Sequence, residues 1–284
     1  MNLDPSVANQ RQISYTSLAP FLLMTFGLAW GILGLFILRP EPMVATFGKL
    51  TGQHPLFFLA VWAPAIAAFI VITYNSRLEG LRRYLSRLLL WRCSPAWYAF
   101  LLIGIPLLFF SGSALKGNLF AEPFPVFSVQ SLMVALVLTA IKGPIEEFGW
   151  RGLALPLLQR KFAPIWSGLI LGVIWGFWHL PAFLLSGTPQ SAWSFTPFFV
   201  GSIALSVILT ALFNASRGSI LLPMLFHFQC NNPIYPDAQP YDTVAFVVAA
   251  FVIVWLNRTA MFRKAGATID VISTSVNRAN PSHA

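Results

Sequence analysis

Charge is what this sequence has least of. Only 10% of its 284 residues are charged and only nine are acidic, whereas a soluble globular chain carries about 25% charged residues. With 57% hydrophobic residues and a mean hydropathy of +0.71, a soluble domain and a disordered chain are both excluded. Cysteine is nearly absent too. Cys93 and Cys230 lie far apart, which excludes a disulfide framework and any zinc-finger spacing. The first twenty residues, MNLDPSVANQRQISYTSLAP, lack the basic flank and cleavage site of a signal peptide, so the first apolar run is expected to be retained. No internal repeat and no low-complexity segment is visible.

What fills the chain is apolar runs. They fall near 17–38, 55–74, 97–115, 126–142, 165–185, 195–213, 219–234 and 241–257, and a membrane-spanning helix needs roughly 20 such residues. The expected fold is all-α, a polytopic transmembrane bundle of about eight spans in contact with membrane lipids. The net charge of +9 is scattered over the connections between runs, the pattern of topology determinants facing anionic headgroups, and no nucleic-acid partner is expected. With eight spans, fifteen Lys and Arg residues fall on the side of the termini, against three (Arg39, Lys49 and Lys116) on the other. The positive-inside rule then puts both termini cytoplasmic, along with the stretch after the fourth run, in what is expected to be a bacterial cell membrane. In the second connection, Arg83 and Arg87 recur at helical spacing among leucines, which predicts an amphipathic interfacial helix acting as anchor and topology signal. The tail after Asn257 is polar and expected to be disordered at its end.

Against this apolar background three short stretches stand out. The first is KGPIEEFGWRG, 142–152, with two of the nine acidic residues side by side. On a helix, Glu147 and Arg151 are neighbours four apart and can pair. Glu146 is turned about 100° from Glu147 and is left free for chemistry. Gly143 and Pro144 are expected to kink the helix and aim the pair. The second stretch, WGFWHLP, places His179 in a run with no other ionisable group. The third, HFQCN, puts His227 and Asn231 four apart on one helix face. Singly, each has a structural reading: a solvated salt bridge, a histidine bonded to a carbonyl, a polar stripe between helices. Together they are expected to converge, because intramembrane ionisable groups are expensive unless they pair or line a wet cavity. A carboxylate, two imidazoles and an amide in one pocket are what water-activating hydrolysis uses: a base, groups to orient water or bind a metal, and an oxyanion donor.

In order and spacing, EEFGWR (146–151), WGFWH (175–179) and HFQCN (227–231) resemble the EExxxR, FxxxH and HxxxN motifs of the CPBP (CAAX protease and bacteriocin-processing) intramembrane proteases. The resemblance covers residues 125–235 as a protease core, leaving 1–124 as N-terminal helices with the basic interfacial segment and 236–284 as the last helix and tail. One departure is visible: Trp175 stands where the family usually has Phe, keeping the aromatic bulk. The resemblance implies an endopeptidase acting on a membrane-associated or prenylated (CAAX-type) peptide from a cavity opening toward the cytoplasm. It implies Glu146 as the water-activating base, assisted by His179, with His227 and Asn231 stabilising the oxyanion and Arg151 holding Glu147, which shapes the site. It also leaves two chemistries open. Glu146, His179 and His227 are candidate ligands for zinc or another divalent metal, yet the stretch lacks the HExxH zinc-peptidase helix, and a metal-independent, glutamate-dependent route is equally compatible. Two non-proteolytic readings stand beside this: a bacteriocin-immunity or peptide-binding membrane protein, and a transporter relaying protons through Glu146 and His179.

Overall fold

The computed structural model describes residues 12–117, 119 and 128–272, and among them all regular structure is helical, without a strand. We number the main helices α1 (Tyr15–Leu38), α2 (Pro55–Val61), α3 (Ala63–Leu89), α4 (Pro95–Lys116), α5 (Val129–Gln159), α6 (Pro164–Leu184), α7 (Phe195–Ala215), α8 (Leu221–Cys230) and α9 (Asp242–Leu256). Every expected apolar run contains one of them, and the chain is a helical membrane bundle. Among the described residues, five helices are long and apolar enough to cross a membrane alone, and α2 with α3, bent by 54°, makes a sixth if the pair is one span. The two remaining apolar helices, α8 and α9, have 10 and 15 residues, short of the roughly 20 a full crossing needs.

Helix packing follows the distribution of small residues. Gly168, Gly172 and Gly176 form one face of α6 at four-residue spacing, and α7 lies directly on it. A Cβ at Gly172 would come within 2.7 Å of the Ile203 Cα, and one at Gly168 within 2.8 Å of the Thr210 hydroxyl. Close backbone approach of this kind is how helices associate where lipid gives no hydrophobic drive.

Two expectations are corrected. The fourth run does not end at Lys142. After Ile141 the chain makes a 3-10 turn, Gly143–Glu146, then continues through a π turn, Trp150–Ala154, to Gln159. Hydropathy loses the helix there because its polar groups are paired inside the protein rather than exposed to water. Arg151 is fully buried and is no loop residue. The interfacial reading of Arg87 also fails. Its side chain is buried, donating to the carbonyls of Gly152 (2.7 Å), Gly218 (2.8 Å) and Val271 (2.8 Å), with Tyr84 and Phe213 rings beside it. Three distant segments are thus tied to one guanidinium. Ahead of its end the tail packs back on the bundle, with Val271 and Ile272 part of the apolar core; the end itself, 273–284, for which disorder is expected, lies outside the described residues.

These contacts define two ends. At one, Arg87, Gln159, Arg160 and the segments 12–13 and 268–271 meet. At the other, Gly52 binds Gly187 (3.0 Å) and Lys116 binds Asp237 (2.6 Å).

Candidate active site

The break in α5 puts Glu146 at the end of the 3-10 turn and Glu147 at the start of the next helical piece. The two carboxylates therefore face different partners. Glu147, fully buried, accepts from Arg151 Nη1 at 3.1 Å and from His227 Nδ1 at 2.8 Å, both on Oε1. The four-residue pairing expected from the sequence is present, and it continues into α8 through the imidazole. Glu146, 3% exposed, instead accepts two indole N–H groups on Oε2, from Trp175 at 2.9 Å and Trp150 at 3.3 Å.

Hydrogen bonding also fixes the histidine tautomers. A carbonyl oxygen only accepts, so the 2.8 Å contact from His179 Nδ1 to the Trp175 carbonyl makes Nδ1 the protonated nitrogen and leaves Nε2 as an acceptor. His227 Nδ1 likewise donates to Glu147, a carboxylate already bonded to Arg151. Its Nε2 points, with Asn231 Nδ2, at Gly143: a Cβ built there would lie 2.8 Å from the first and 2.3 Å from the second. Glycine at 143 is thus required by space, because any side chain would collide with both groups.

Glu146, His179, His227 and Asn231 all line one cavity of about 430 Å³, with Trp175 and Lys142 in the same wall, a volume within the usual range for ligand sites. The wall also takes Pro189, Gln190, Trp193 and residues 235–239, which belong to the end opposite the termini. Glu146 therefore faces a cavity walled in part from that end, and the shared face for termini and Glu-Glu stretch that the charge tally suggested does not follow from this arrangement.

The candidate metal set was tested on its donors. Among the described residues, no three His, Cys, Asp or Glu side chains gather closely enough to hold a metal ion. His179 and His227 each bond a protein acceptor through Nδ1, which leaves both Nε2 atoms free, and Oε2 of Glu146 takes two N–H donors.

Sequence reasoning missed the part played by tryptophan. Trp175 was weighed only as aromatic bulk in place of Phe, yet its N–H holds Glu146, its carbonyl orients His179, and its ring lies 4.7 Å from the Arg151 guanidinium carbon and 5.5 Å from the His227 ring. The available signal was an extra N–H donor beside an acid with few possible partners. Trp175→Phe keeps the packing and removes one hydrogen bond to a charged group, about 1.5–3 kcal/mol. It is expected to lower kcat about tenfold with a smaller change in KM; an unaltered kcat in a steady-state assay would remove Trp175 from the site's function.

Known proteins resemble this chain. Residues 128–232 match the sequence model of the type II CAAX prenyl endopeptidase Rce1-like family. The chain is also 28% identical over 238 residues to the CAAX prenyl protease 2 of Methanococcus maripaludis, an alignment covering 76% of this chain and 87% of that protein. The matched segment runs from the N-cap of α5 to just past Asn231, so it contains every side chain of the cavity's polar wall named in the three motifs. By these two matches the chain is similar to the CPBP (CAAX protease) family of intramembrane endopeptidases.

Proposed function

We propose that the chain hydrolyses a peptide bond next to the prenylated cysteine of a C-terminal Cys-aliphatic-aliphatic-X sequence, inside the membrane and with Glu146 as the base. The observation that carries this reading is the meeting of Glu146, His179, His227 and Asn231 in one apolar-walled cavity. In such surroundings fixed donors act more strongly than in water.

A water between Glu146 and His179 would give one proton toward the Glu146 carboxylate and point the other at the free Nε2 of His179. As Glu146 takes its proton, the oxygen attacks the scissile carbonyl. Negative charge moves to the carbonyl oxygen, toward Asn231 Nδ2 and His227 Nε2. Because Nδ1 of His227 already donates to Glu147, Nε2 can donate only as an imidazolium, and the buried Glu147 carboxylate is the counter-charge for that state. Collapse breaks the C–N bond, and the protonated Glu146 returns its proton to the leaving amine. Products are a prenyl-cysteine carboxylate and a tripeptide. Glu147 and Arg151 act through His227 and are positioning residues.

Purified protein in lipid, given a prenylated peptide, is expected to release the tripeptide, read by mass spectrometry. Binding of the intact peptide without cleavage would instead support a non-catalytic, peptide-binding membrane protein.

A further inference from the structure

Among the described residues, Lys142 is the one Lys or Arg lining the cavity, and the mechanism above leaves it without a task. It sits four residues before Glu146, where α5 leaves helical geometry (φ −97°, ψ −97°). The lipid-side row of the same helix, Val134, Val137 and Ile141, is 41–59% exposed, whereas Lys142 is half-buried and belongs to the cavity wall. Its ammonium has no carboxylate within 4.0 Å among the described residues; its contacts are the Gly52 carbonyl at 3.5 Å and the Phe58 ring at 5.9 Å. The other acids of the wall have partners of their own: Asp237 pairs with Lys116 at 2.6 Å, Asp242 accepts from Gln239 at 3.0 Å, and Glu146 is held by two indoles. An ammonium withdrawn from water beside a carbonyl and a ring is costly, and an anion brought to it is correspondingly favoured.

We propose that Lys142 binds the C-terminal carboxylate of the substrate. This rests on the endopeptidase reading above and adds the group that measures where the chain ends. In a C-terminal Cys-a-a-X sequence the free carboxylate lies three residues beyond the cysteine, an extended span of about 10 Å. Lys142 lies four residues before Glu146 on the same cavity wall and carries a flexible four-carbon stem. A substrate whose carboxylate reaches Lys142 is thereby set with the bond after its cysteine near Glu146. A longer or capped C-terminus loses that anchor.

Two prenylated peptides of the same sequence, one ending in a free carboxylate and one in a neutral carboxamide, test the assignment with wild-type protein, Lys142→Met and Lys142→Arg. In the wild type, kcat/KM is expected to fall about tenfold or more on amidation, mainly through KM, as for a charge-assisted hydrogen bond. Lys142→Met is expected to bring the ratio between the two peptides to about one, and Lys142→Arg to retain most of it. Equal wild-type turnover of acid and amide overturns the carboxylate site alone. So does a Lys142→Met protein that preserves the wild-type ratio. Failure of the wild type to cut either peptide overturns the endopeptidase reading, and the carboxylate site with it.

Discussion

Glu146→Gln is expected to reduce turnover about 10³-fold while the protein stays folded, since removing a positioned general base costs on the order of 10²–10⁴. The substitution is nearly isosteric. The amide oxygen can still accept from Trp175 or Trp150 (2.9 and 3.3 Å in the native site), so packing around the side chain is retained. What is lost is the ability to take a proton from water. Thermal unfolding in detergent is expected to match the wild type, which separates a chemical defect from a folding one. Near-normal cleavage of a prenylated peptide by Glu146→Gln would remove this carboxylate from the reaction.

Arg151→Met is expected to act chiefly on stability. Glu147 and Arg151 are both fully buried and joined at 3.1 Å, and removing one partner of such a pair costs about 3–5 kcal/mol because the other charge is left uncompensated. That is a large part of the roughly 5–15 kcal/mol by which a folded chain is usually stable. His227 remains on Glu147 at 2.8 Å but cannot replace a guanidinium that is charged at every pH. The second arm is Glu147→Gln combined with Arg151→Met, which removes both charges. Unfolding is expected at a markedly lower temperature for the single variant than for the wild type, with partial recovery in the double variant. A single variant as stable as the wild type would show that the pair carries no such burden. Activity is expected to fall in the double variant, where Glu147→Gln removes the counter-charge the His227 imidazolium needs.

The sequence was legible where chemistry is local. The i,i+4 spacing of Glu147 and Arg151 predicted their ion pair, and Gly143-Pro144 predicted the break that separates the two glutamates. The scarcity of charge made His179 and His227 conspicuous, and apolar run length located every main helix. Long-range partners were not legible. Arg87 shows the helical spacing of an interfacial residue, but its acceptors are backbone carbonyls 65, 131 and 184 residues away. Carbonyls leave no mark in a sequence. The same holds for the return of Val271 and Ile272 to the core. The fourth span was cut short because a hydropathy window counts Glu146, Glu147 and Arg151 as polar, although in place they are buried, Glu147 bonded to Arg151 and Glu146 to neighbouring indoles. Trp175 was undervalued because a motif records aromatic bulk and not the direction of an N–H.

The most direct measurement is turnover of purified wild-type protein after exhaustive chelation, with elemental analysis of the same sample and Glu146→Gln measured alongside. Because no three His, Cys, Asp or Glu side chains gather closely enough among the described residues to hold a metal ion, metal-stripped protein is predicted to keep full turnover that Glu146→Gln lacks. Turnover abolished by chelation and restored by zinc would contradict a water activated by Glu146 alone.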